Sequence, residues 1–78
     1  MAVHYFHCTD GVDFVLDRVG QNTRSQQDVH LRACLVANRM MRSVDDMDWS
    51  SWVVSVHNRR GMMVEVVPFP AEERREAA

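Results

Sequence analysis

Val3-His4-Tyr5-Phe6-His7-Cys8, then Asp10-Gly11, then Val12 to Asp17, reads as two strands joined by a tight turn. Strand alternation places His4, Phe6 and Cys8 on one face and Val3, Tyr5 and His7 on the other. Asp10-Gly11 favours a two-residue turn, because a type I′ turn needs positive φ at both central positions. In the returning strand Phe14 and Leu16 share one face, and Asp13, Val15 and Asp17 the other. Gly20-Gln21-Asn22-Thr23 reads as loop.

A second hairpin closes the chain. Trp52 to His57 forms one strand, with Trp52, Val54 and Val56 on one face and Val53, Ser55 and His57 on the other. Asn58-Arg59-Arg60-Gly61 fits a four-residue connection in which Gly61 takes a left-handed conformation. Met62, Val64 and Val66 then alternate with Met63, Glu65 and Val67, and Pro68 and Pro70 stop the strand. Between the hairpins, Ser25 with Asp28 three residues on marks a helix start. No Gly or Pro interrupts residues 26–43. Val29, Ala33, Val36, Ala37, Met40 and Val44 fall within a sector of about 80° on a helix, the pattern of a buried stripe. Leu31 and Leu35 lie off that stripe. Asp45-Asp46-Met47-Asp48 ends the helix, since acidic residues oppose the dipole at its C-terminus.

The expected fold is therefore α+β, ββαββ: a four-stranded antiparallel sheet with one helix on one face. The expected strand order is 2-1-3-4. The helix stripe would cover Phe6, Phe14, Leu16, Trp52, Val54, Val64 and Val66. Residues 1–70 form one domain, and the charged segment 71–78 is expected to be a mobile tail.

Composition narrows the possible functions. The chain has 78 residues, 46% of them hydrophobic, enough for one small core. All nine basic residues are Arg, and the net charge is −2, so there is no bulk attraction to nucleic acid or to an anionic membrane. No apolar run approaches the roughly 18 residues of a membrane span. The N-terminus lacks a basic region followed by an apolar stretch, so the expected compartment is the cytoplasm. Cys8 and Cys34 are then expected as reduced thiols.

Tyr5-Phe6-His7, Asp10-Gly11, Asp17-x-x-Gly20, Trp52-x-Val54-x-Val56, Gly61 and Val67-Pro68-Phe69 form an ordered set across about residues 3–69. In order and spacing the set resembles a family of small bacterial proteins known only as a domain of unknown function. The helix departs from the family pattern: it is poorer in Ala and Glu and carries Met40-Met41. The resemblance implies the fold outline and a bacterial source, and it implies no chemistry.

Among candidate sites, His7 and His57 fall on the sheet face away from the helix. They would approach each other if the first and third strands are neighbours, with Glu65 on the same face. A structural zinc needs about four tetrahedral ligands, and the spacing matches no metal motif, so no metal or cofactor is assigned. Cys8 is expected on the core face and Cys34 beside the stripe, where both act as small hydrophobes, so no catalytic residue is assigned and the protein is read as not an enzyme. Asp10, Asp13 and Asp17 lack the spacing, central Gly and terminal Glu of a calcium loop.

Two surfaces are left. Arg32, Arg39 and Arg42, with Arg24, give a face suited to phosphates, although Asp28, Asp45, Asp46 and Asp48 flank it. The open sheet face would expose Val3, Tyr5, His7, Val15, Val53, His57, Met63 and Val67, an apolar area of the kind that marks an interface. The preferred reading is a non-enzymatic protein-interaction module that binds a second copy of itself, through this face or an edge strand, or another protein. The alternative is an antitoxin-like nucleic-acid regulator that uses the Arg face.

Overall fold

The computed structural model describes residues 2–69. The segment 71–78, expected as a tail, lies outside the described residues. In chain order the elements are β1 (Ala2–Thr9), β2 (Phe14–Val15), β3 (Gln21–Thr23), α1 (Gln26–Ser43), β4 (Val53–His57) and β5 (Met63–Pro68). The sheet runs β2-β1-β4-β5, entirely antiparallel, with β3 also paired to β1. The expected α+β fold and the order of the four main strands hold. The fifth strand is Gln21–Thr23, in the stretch read as loop.

That extra strand follows from the length of β1. Its outer edge pairs with β3 at Ala2–His4 and with β2 at Cys8–Thr9. Between the two the chain leaves the sheet, and the Asp17 carboxylate takes the N–H of Phe6 at 3.1 Å. The same carboxylate accepts from Val19 and Gly20, both at 3.0 Å. One side chain thus stands in for the missing rung and shapes the loop that lets β3 rejoin the sheet.

The departure at Leu16 also corrects two core assignments. Phe14 and Leu16 are 63% and 56% exposed. β2 has only two residues and lies beyond β1, whereas α1 is centred over β4. The first turn is wider than expected as well, because Thr9 pairs with Phe14 and leaves Asp10–Asp13 as the loop. Asp10 Oδ1 accepts from the N–H groups of Val12 and Asp13 at 2.9 and 2.8 Å. Side-chain bonds of this kind hold a four-residue turn that a type I′ pair would not need.

α1 starts as its sequence predicts. Ser25 is the N-cap and its hydroxyl accepts from Asp28 N–H at 3.1 Å, while Asp28 accepts from Arg24 N–H at 3.0 Å. Val29, Ala33 and Ala37 are buried, and Val36 and Met40 pack against the core. Val44 is the C-cap, extended and 44% exposed, so it falls outside the stripe. Among the described residues no helix is long and apolar enough to cross a membrane.

The core joins Phe6, Cys8, Val54, Val56 and Val67 of the sheet to the helix stripe. It continues into three aromatic rings. Trp49 and Trp52 meet edge-on at 5.3 Å, and Trp49 stacks on Phe69 at 5.4 Å. Phe69 N–H donates to Trp52 O at 3.0 Å, which ties the end of β5 to the start of β4. Val54 then faces Val67, and Val56 faces Glu65. β5 therefore turns Val67 inward and leaves Val64 and Val66 exposed, the reverse of the expected faces.

Candidate functional site

The β1–β4 register brings His7 and His57 together on the open face, with ring centroids 5.1 Å apart and planes tilted by 48°. Asp17 N–H donates to His7 Nδ1 at 3.0 Å. That bond requires a lone pair on Nδ1, so His7 is held neutral with its proton on Nε2. Burial lowers the His7 pKa, His57 lowers it further, and Asp17 opposes both. Burial alone would raise the pKa of Asp17, but N–H bonds from Gly20, Phe6 and Val19, with His7 beside it, lower it. His57 Nδ1 is buried and has no hydrogen-bond partner among the described residues.

Glu65 is not the third member of this group. It lies on the helix side, where it accepts from Gln26 Nε2 and contacts His30 Nδ1, both at 2.6 Å. The reversed face of β5 is the cause. Among the described residues no group of three or more His, Cys, Asp or Glu side chains is placed to hold a metal ion. Cys8 is buried in the core, and burial pushes its thiol up to about 11, so it is a poor nucleophile near neutral pH. Cys34 is half-buried, with a free thiol.

The Arg face is only partly free. Arg32 is half-buried: its Nε donates to Asp28 and its Nη1 to Gln21, both at 3.0 Å. Arg24, Arg39 and Arg42 are exposed.

The apolar surface is redistributed. Val15 and Met63 are exposed, while Val3, Tyr5, His7, Val53 and His57 are half-buried. Val67, expected on this face, is 5% exposed and belongs to the core. The Asp17–Gly20 loop crowds Val3 and Tyr5, since a Cβ at Gly20 would reach Val3 Cγ1 at 2.8 Å and Tyr5 Cε2 at 3.0 Å. The β1 side of the face is thereby partly covered. On the β5 side Val66 lies across from Ser55, and a bulge at Val56/His57 sets Met63 opposite His57. The Ser55 hydroxyl donates to Met63 Sδ at 3.4 Å. Val64 and Val66 are interface candidates that the sequence reading placed in the core. Counting back by twos from Phe69 selects Val67 and Glu65 as inward, whereas counting forward from Met62 does not.

On the helix side of the same edge, Gln26, Gln27, His30, Leu31, Cys34 and Glu65 line a mostly apolar groove of about 450 Å³. The off-stripe Leu31 and Leu35 are 58% and 52% exposed. Among the described residues β5 is thus an outermost strand with apolar side chains uncovered on both of its flanks.

Residues 3–70 match the family model described as Domain of unknown function (DUF6894). No curated protein and no solved structure matches the chain.

Proposed function

The chain belongs to the DUF6894 family, whose description assigns no activity, and from that premise we propose a non-enzymatic protein-interaction module that pairs with a second copy of itself through the free edge of β5. The observation that carries this reading is the state of β5. Among the described residues it ends the sheet, and no strand lies beside its outer edge. Val54 and Val56 face Val67 and Glu65, so alternation turns the N–H and C=O groups of Val64 and Val66 toward that edge. An uncovered edge of this kind is a template for another strand.

The side chains support the same geometry. Antiparallel pairing of two β5 strands across a two-fold axis would make one continuous sheet. It would bring Met63, Val64 and Val66 of both copies together on one face and the Leu31–Cys34 groove against its equivalent on the other. Apolar side chains that are wet in one chain would then be covered. A single chain this small buries little apolar surface, so the gain in stability is large relative to its total. A reducing cytoplasm suits a module that carries free Cys8 and Cys34.

Val66→Pro tests this directly. It removes the one N–H that Val66 offers to the free edge and leaves the β4 side of β5 intact. Light scattering after size-exclusion chromatography should give wild type a mass near twice 9.0 kDa. The Pro variant should give one chain's mass with an unchanged circular-dichroism spectrum. A wild type that stays at 9.0 kDa at every concentration, or a Pro variant that still pairs, would overturn the reading.

A further inference from the structure

We propose that the concavity between the start of β1 and the β4–β5 turn is an anion site that takes a phosphate group. It measures about 550 Å³, and Val3, His4, Asn22, Asn58, Arg59 and Arg60 contribute to its lining. That volume falls within the roughly 300–1,000 Å³ of small-molecule sites, large enough for an organic group attached to the phosphate.

The fold creates this space. β1 pairs with β4 only from Tyr5 onward, where Tyr5 faces His57. One residue later the chain turns away through Asn58–Gly61. The turn is held by Asn58 Oδ1, which accepts from Arg60 N–H at 2.9 Å and Met62 N–H at 3.0 Å. Among the described residues the next rung of the β1 ladder, at Val3, has no partner strand on that side. Alternation turns the Val3 N–H and C=O toward the gap, since Tyr5 and His7 use theirs on β4 and Phe6 points its N–H to Asp17. A backbone donor at the floor of a concavity is a recurrent element of anion sites.

The charge fits as well. Among the described residues no carboxylate lines the space. Among the described residues neither Arg59 nor Arg60 is in an ion pair, and both are exposed. Two adjacent guanidinium groups match a dianion, and their forked donors suit phosphate oxygens. The Asn22 and Asn58 amides add neutral donors. His4 is oriented by a 2.8 Å bond between its Nδ1 and Thr23 Oγ1. Arg32, Arg39 and Arg42 do not line this concavity, and the net charge of −2 conceals its basic turn.

The test is a ¹⁵N NMR titration of the full chain at constant ionic strength, with adenosine monophosphate, inorganic phosphate and malonate in separate arms. Saturable shifts at Val3, Asn22 and Asn58–Gly61 are expected with a phosphate ligand. In Arg59→Gln/Arg60→Gln, affinity should fall at least tenfold while other amide signals stay in place. Arg59→Lys/Arg60→Lys should recover part of it. Tighter binding of the nucleotide would identify a phosphomonoester as the ligand, and equal binding would identify the free ion; both support the site. No saturable shift, an equal response to malonate, or full binding by the Gln variant would overturn it.

Discussion

At Gly20 a side chain has no room and no permitted backbone angle. Its φ is +82°, and an added Cβ would lie 2.8 Å from Val3 Cγ1. Gly61 has nearly the same φ, +83°, but nothing within 4 Å. The pair separates steric crowding from backbone strain. Gly61→Ala should cost about 1 kcal/mol, the left-handed penalty alone. Gly20→Ala should cost about 2–3 kcal/mol, because β1 or the loop must also move. Urea denaturation of the two variants measures the difference. The Asp17–His7 contact gives a second prediction at this scale. His7 has a folded pKa below its ordinary 6.5, so the unfolded chain takes up its proton more readily. Stability therefore rises with pH through that window and is lost as pH falls below it. Asp17 acts with the same sign at lower pH: its pKa is also lowered, and the stability it contributes is lost only as pH falls below the ordinary 3.8. Between about pH 7 and about pH 5.5 the loss should come from His7, and His7→Asn, which keeps an acceptor but cannot titrate, should flatten it. Urea midpoints at the two pH values report the result.

At the scale of the element, β5 shows where alternation stops being decisive. Its period of two was plain in the sequence, and so was its hairpin with β4. Which set of alternate residues faces inward was not. One set, Met62, Val64 and Val66, is wholly apolar, while the other contains Glu65, so local hydrophobicity selects the wrong face. Tertiary contacts reverse the choice: Phe69 joins Trp49 and Trp52 in the core, and Val67 follows at the same parity. Glu65 is accommodated at the helix margin by Gln26 and His30. Val67→Ala should therefore lower stability by about 2 kcal/mol. Val66→Ala should change the monomer by less than about 0.5 kcal/mol. Equal losses in thermal melts of the two variants, made under monomeric conditions, would contradict this assignment of faces. α1 is the contrasting element. Its cap, length and buried stripe were all legible because they rest on residues three and four apart in the chain.

For the whole molecule, the free edge and the small core lead to one linked prediction. If pairing through β5 stabilises the folded state, Tm should rise with protein concentration in wild type and stay constant in Val66→Pro. Melts over a hundredfold range of concentration read this out. A wild-type Tm independent of concentration would speak against self-pairing as a source of stability.

The sequence by itself determined the α+β class, the two hairpins and the capped helix. It also placed His7 and His57 on one sheet face. These features depend on turn chemistry, capping and short-range periodicity, whose partners lie a few residues apart. Only the tertiary structure decided that β1 outruns β2 and recruits Gln21–Thr23, that Asp17 fills the gap, and that Val67 rather than Val66 enters the core. It alone placed Arg59 and Arg60 beside the start of β1. Each of these depends on where a distant segment lies, and alternation along one strand is the same whichever face the rest of the chain comes to cover.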